Sequence, residues 1–258
     1  MNAKALASML DGWALSRVRE LTLRGALRAE GAKLLARSKL LPNLAALSLV
    51  GASLKDDGAA ELAKGEAPGL ERVDLGGNSI GPEGMAALAK GSLLDSARVL
   101  DLANNKCGGE GGKALAVGKW LAHLRELRLF YNWMGVHGLR AILLAMPEAE
   151  TLVLGENNYG SEVFKVAATG ALPRLRSVHL GQETDQAVLE KFLESGHALR
   201  LRSLGVHHAH LGARGAGLLA ALPELEDLYF SFCTFEPEAL TALEQRFPGL
   251  TRFWPSED

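Results

Sequence analysis

Two apolar residues separated by one other return every 24 to 27 residues along almost the whole chain. The first of each pair is Leu21, Leu47, Val73, Leu100, Leu127, Leu152, Val178, Leu204, Leu228 and Phe253. The second is Leu23, Leu49, Leu75, Leu102, Leu129, Leu154, Leu180, Val206 and Phe230. Alternation of this kind makes a half-buried strand. The residues after each pair are shared as well. In LERVDLGGNSIGPEGMAALA (residues 70–89), Asn78 and Ile80 close a turn. Pro82 and Glu83 suit a first helical turn, since proline needs no amide partner there and the carboxylate faces the positive end of the helix dipole. Met85, Leu88 and Ala89 then recur at helical spacing. A unit this short cannot bury its own apolar side, so successive units must stack and share one core.

The segments LDLANNKCGGEGGKALA (residues 100–116) and LGARGAGLLA (residues 211–220) resemble leucine-rich repeats of the ribonuclease-inhibitor-like subclass. The resemblance covers residues 18–254. It implies an α/β horseshoe of about nine repeats plus caps, with a parallel sheet on the concave face and helices on the convex face. The expected organisation is a helical cap over residues 1–17, repeats over 18–249 and a closing strand over 250–258, all one domain. The subclass is a scaffold for binding proteins, so it points to a fold rather than to a partner.

With 48% hydrophobic residues the chain can build a large core, and a net charge of −2 offers no basic stripe for nucleic acid or an anionic membrane. The first residues, MNAKALASMLDGWALSRV, lack the apolar core of a signal peptide. No apolar run approaches the ~18 residues of a membrane span. There are two cysteines. Cys107 stands at the buried turn position of Ile80, and Cys233 at the position of Asn78, Asn105, Asn132 and Asn157. Both read as core substitutes, too far apart along a solenoid to bridge. Without disulfide caps, a cytoplasmic location is the expectation. Repeats such as GMAALA are also similar to those of bacterial effector families, and the Ala-, Leu- and Arg-rich composition fits a bacterial source.

In the first residues, Leu6, Met9, Leu10 and Trp13 fall on one helical face, as a cover for the first apolar layer would require. The asparagine series is expected to form a buried amide ladder that satisfies turn backbone groups. Ala26 and Ala52 replace it at one end, and Glu183 and Ala209 interrupt it towards the other, so the turns near Glu183 should be the least regular. Leu250, Phe253, Trp254 and Pro255 are expected to close the far end.

Function must reside in residues the repeat does not dictate. Strand residues between the leucines face outward in rows. From Arg128 onward these rows and the adjoining rim gather Phe130, Tyr131, His179, His207, His208, Tyr229, Phe232 and Trp254, with Trp133 on the same rim. Aromatic side chains with arginine are the commonest interface anchors, and a contiguous patch of them marks an interaction site. Gly155, Gly181 and Gly205 lie between them and are read as leaving room for a partner's side chains. Against this stands packing of the rings on one another along the sheet.

Three constellations bear on chemistry. His179, His207, His208 and His210 offer imidazoles, but without the third fixed ligand a zinc site needs, so no metal is expected. Asp74, Asp101 and Arg128 follow one another in one row and read as a surface charge ladder. The phosphate-loop, zinc-protease, nucleophile-elbow and dinucleotide motifs do not occur, and GGEGG (residues 108–112) sits at a turn-to-helix junction. The reading is a non-catalytic, cofactor-free interaction scaffold that binds a protein partner on the C-terminal half of the concave face. It is expected to bind neither nucleic acid nor membrane, and self-association is left open. The alternatives are a regulator of a small GTPase, implied by the similarity of the repeats to the GTPase-activating protein of the nuclear-transport GTPase and placing Arg128 near a nucleotide, and a bacterial effector acting on host proteins.

Overall fold

The structure, a computed structural model, describes residues 2–10, 15–155, 157, 159–248 and 251–253. The expected cap residue Trp13 and the closing residues Leu250, Trp254 and Pro255 lie outside the described residues. Strands β1 (Glu20–Thr22), β2 (Ala46–Ser48), β3 (Arg72–Asp74), β4 (Val99–Asp101), β5 (Glu126–Arg128), β6 (Thr151–Val153), β7 (Ser177–Glu183), β8 (Ser203–His207), β10 (Asp227–Ser231) and β12 (Thr251–Phe253) form one ten-stranded sheet in chain order. A small second sheet pairs β9 (His210–Leu211) with β11 (Thr234–Phe235). The helices are α1 (Ala3–Leu10), α2 (Arg28–Ala36), α3 (Lys55–Ala63), α4 (Pro82–Lys90), α5 (Gly108–Leu115), α6 (Gly135–Leu144), α7 (Glu162–Ala167), α8 (Gln186–Glu194), α9 (Ala213–Ala220) and α10 (Pro237–Arg246). Each packs on the next, with α1 against α2.

The register follows the apolar pairs. Leu21, Leu47, Val73, Leu100, Leu127, Leu152, Val178, Leu204 and Leu228 stand opposite one another down the parallel sheet. The second residues of the pairs, from Leu49 to Phe230, are all buried against the helices. One end departs from the expectation. Ser231, not Leu228, stands opposite Phe253, so the last strand is offset by three positions. Phe253 is therefore not the last member of the first apolar row.

Asparagine ties the coils together. Asn105 Nδ2 donates to the carbonyls of Leu75 and Leu102, at 3.1 and 2.8 Å. Its Oδ1 accepts from the amides of Asn78 and Ile80, at 3.1 and 2.9 Å. Asn78, Asn132 and Asn157 repeat the pattern, and all four side chains are buried. Cys233 takes over the role with sulfur, donating to Val206 O at 3.5 Å and Ser231 O at 3.4 Å. Cys107 fills the buried turn position instead, and burial pushes its thiol up to about 12.

The helices approach the core through glycine. A Cβ on Gly84 would stand 2.5 Å from Ile80 Cγ2, and one on Gly112 would stand 2.8 Å from the Gly138 Cα on the next helix. Helix α8 has no such glycine, and there Phe164 and Phe192 stack at 5.4 Å between α7 and α8. Buried Glu162, 3% exposed, is offset by Arg140 Nη1 at 3.1 Å and Lys165 Nζ at 3.9 Å.

The irregularity falls where Glu183 announced it, but its form differs. Strand β7 follows its neighbour in register as far as His179, then slips, and Glu183 rather than Gly181 stands opposite His207. Glu183 is exposed, so it is a strand residue and not a failed member of the ladder. The residues the bulge absorbs come out of the turn: α8 starts directly after its N-cap Asp185, whose carboxylate accepts from the Val188 amide at 3.0 Å. Bulges re-aim side chains in this way at functional edges.

Candidate functional site

Past each strand the chain turns outward along one rim, and the turn needs a left-handed residue. Gly25, Gly51, Gly77 and Asn104 supply it in the first repeats, with φ between 56° and 112°. Glycine has no Cβ to clash in this region, and asparagine tolerates it. In the C-terminal half the same position is held by Tyr131, His208 and Phe232, with φ of 54°, 45° and 53°. A second left-handed position two residues on is held by Ser53 and Ser79, then by Trp133 at φ 57°. Tyrosine, phenylalanine and tryptophan are poor choices here, each costing on the order of 1–3 kcal/mol of backbone strain, whereas histidine is tolerated more readily. They are also exposed: Tyr131 by 43%, Trp133 by 65% and Phe232 by 50%. The core gains nothing from them.

These residues form two groups. Phe130 and Tyr131 meet edge to face at 4.3 Å, with Trp133 beyond them on the rim. Three and four strands further along the sheet, His208 and Phe232 stack at 4.7 Å with their planes 5° apart. His179 and Tyr229 lie at 5.8 Å on the concave face beside the second group, both half-buried. His179 Nε2 is 3.3 Å from Ser203 Oγ. Burial lowers the pKa of the His179 imidazole, against the pull of Asp227. Burial also lowers His207, helped by the neighbouring His208 and His179.

Two of the glycines between the rings, Gly155 and Gly205, are not empty slots. A Cβ on Gly155 would stand 2.4 Å from Phe130 Cε2, and one on Gly205 would stand 3.1 Å from His179 Nδ1. The protein's own rings cover that floor, so the expectation of open space there is corrected, and Phe130 and His179 are partly spent on packing. Asp74, Asp101 and Arg128 stand opposite one another in one row, as the charge ladder required, but each also has a partner of its own. Arg128 Nε donates to Glu126 Oε1 on its own strand at 2.7 Å. The Asp74 and Asp101 carboxylates accept from the amides of Gly76 and Ala103, at 3.0 and 2.8 Å. Burial raises the Asp101 carboxyl, with the Ala103 amide and Asp74 acting in opposite senses. These aspartates shape the turn after each strand, as such side chains commonly do.

Trp254 lies outside the described residues. The remaining named residues all fall on the concave face or its rim. Glu183 was missed as a site residue. With His208, Ala209, His210, Phe232 and Thr234 it lines a shallow rim groove. Among the described residues no group of three or more His, Cys, Asp or Glu is placed to hold a metal ion. No helix among them is long and apolar enough to cross a membrane.

A family model described as leucine-rich repeat matches residues 69–89, 98–116 and 121–143. These residues are leucine-rich repeats, and the chain folds as an α/β leucine-rich-repeat solenoid. No curated protein matches it in sequence. The matched leucine-rich repeats span β3 to β5 and α4 to α6, where the asparagine ladder is regular. Leucine-rich repeats stack into stiff, curved interaction scaffolds, and such curvature creates an extended concave binding surface.

Proposed function

We propose that the protein is a non-catalytic scaffold of the ribonuclease-inhibitor-like kind that binds a protein partner along the C-terminal half of its concave face and the adjoining rim. One observation carries this reading: exposed Tyr131, Trp133, His208 and Phe232 occupy left-handed backbone where other repeats use glycine, asparagine or serine. Strain held at an exposed site and unused by the core is the mark of a functional constraint. Exposed aromatic rings on a rigid frame are efficient anchors, because little conformational entropy is lost when they are covered.

A nucleotide-directed role for Arg128 has no such support, since its guanidinium is held by Glu126. The test exchanges each rim residue for the one other repeats use at that position. The variant Tyr131→Asn, Trp133→Ser, Phe232→Asn would be compared with wild type in pull-downs from native lysate read by mass spectrometry. The expected result is a partner lost by the variant at a thermal stability equal to or above that of wild type. A partner retained equally by both moves the site to another face.

A further inference from the structure

The rim groove beside the stacked His208 and Phe232 rings has a wall of one charge. The bulge in β7 turns Glu183 outward into it. The Glu183 carboxylate has no ion pair or side-chain hydrogen bond among the described residues, and the same is true of Asp227 on the concave face nearby. Three arginines of this half are engaged elsewhere. Arg128 holds Glu126, Arg202 holds Glu224 at 3.3 Å, and Arg214 holds Glu190 and Glu194. His210 turns its Nδ1 to Thr234 Oγ1 at 2.9 Å. The groove therefore presents one unsatisfied carboxylate, a half-exposed aromatic face and no lysine or arginine among the described residues of its lining.

We infer that this groove receives an arginine side chain from the partner, its guanidinium forked onto Glu183 and lying against the Phe232 and His208 rings. The inference rests on the proposed function and names the chemistry of the partner. Guanidinium is planar, weakly hydrated and suited both to bidentate carboxylate pairing and to stacking on aromatic faces. An exposed ion pair is worth little in water. Under a covering partner the same pair is desolvated and becomes selective, because a partner without the cation would leave Glu183 buried and unpaired. Tyr131 and Trp133 lie two strands from Glu183 and three to four strands from His208 and Phe232 on the same rim, roughly 10–19 Å at ~4.8 Å per strand. A segment of about three to six extended residues spans that distance, so the partner carries an apolar residue for Trp133 at one end and arginine at the other.

A random dodecapeptide library displayed on phage would be selected on the full chain and counter-selected on Phe232→Asn. Selected peptides would then be titrated by fluorescence polarisation. The expected peptides carry an arginine. Their affinity falls at least tenfold with Glu183→Gln or with alanine at that arginine, and it weakens as salt rises. Peptides that require Phe232 but carry no arginine, or that ignore Glu183→Gln, overturn the inference and leave the proposed function standing. A library without any peptide dependent on Phe232 or Tyr131 overturns both. Concentration-dependent dimerisation of wild type in sedimentation, abolished by Phe232→Asn, would make a second copy the occupant and overturns the arginine.

Discussion

The Phe130 ring covers Gly155, so closely that an added Cβ there would stand 2.4 Å from Phe130 Cε2. The two residues sit on adjacent coils, and Tyr131 N donates to Gly155 O at 3.0 Å beside them. Gly155→Ala must therefore push the ring aside or shift the coil. Overpacking of this kind costs about 1–3 kcal/mol. In a double-mutant cycle by urea denaturation, Phe130→Ala should recover most of that loss, because it removes the clashing ring. Additive effects of the two substitutions would show that ring and glycine are not coupled.

The left-handed rim positions predict an inversion of the usual effect of removing a large side chain. Tyr131→Asn relieves backbone strain and gives up only an edge-to-face contact with Phe130. It should keep or raise stability, and exceed Tyr131→Ala by about 1 kcal/mol, since alanine gains nothing in this region of backbone. Thermal melts of the two variants side by side measure it. Tyr131→Asn less stable than Tyr131→Ala would mean that the backbone is not what limits this position.

The architecture was legible because one physical demand recurs along the chain: two inward strand residues, a turn that must satisfy its amides, and a helix with an apolar face. Val73, Leu75, Asn78, Met85 and Leu88 answer its parts in turn, and their spacing alone places them in the structure. Cys233 was legible for the same reason, as the occupant of an asparagine position. The bulge at Glu183 was not. Its extra residues are compensated by a shorter turn before α8, so the interval from Val178 to Leu204 stays in step with the others. QETD also carries no apolar residue to mark which face each side chain takes. The left-handed backbone of Tyr131 and Phe232 could have been read from alignment with Gly51, Gly77 and Asn104, because only the turn's geometry explains glycine there. The offset of Phe253 came from counting by the period where the last coil is shorter.

Cys233 works as an imperfect asparagine. Its sulfur makes long bonds to Val206 O and Ser231 O, where Asn78 Nδ2 reaches Leu49 O and Leu75 O at 2.8 and 2.9 Å. Burial raises the thiol above its ordinary range, against the amide of Ala209 that donates to it. Cys233→Asn supplies stronger donors and an oxygen acceptor for that amide. It should stabilise the last repeats by about 1 kcal/mol, the net value of a typical added hydrogen bond. Hydrogen exchange at the Ala209 amide should slow accordingly. Unchanged exchange with a lower melting temperature would show that the C-terminal turn cannot accept the amide.

His179 and His207 give stability a pH dependence of definite sign. Burial lowers both imidazoles from the ordinary 6.5, with Asp227 opposing the shift at His179 and the neighbouring imidazoles reinforcing it at His207. Above that value both rings are neutral in folded and unfolded chains, and they contribute no slope. As pH falls below it, the unfolded chain takes up protons first and stability drops. The loss levels off once the lowered folded-state values are passed. Urea midpoints of wild type at about pH 7.5 and about pH 5.5 should therefore differ, with the acidic sample weaker. In a His179→Gln, His207→Gln variant the difference should shrink, since two of the groups that create it are gone. An equal difference in the variant would assign it to other groups, and a wild type more stable at the lower pH would reverse the sign of both shifts.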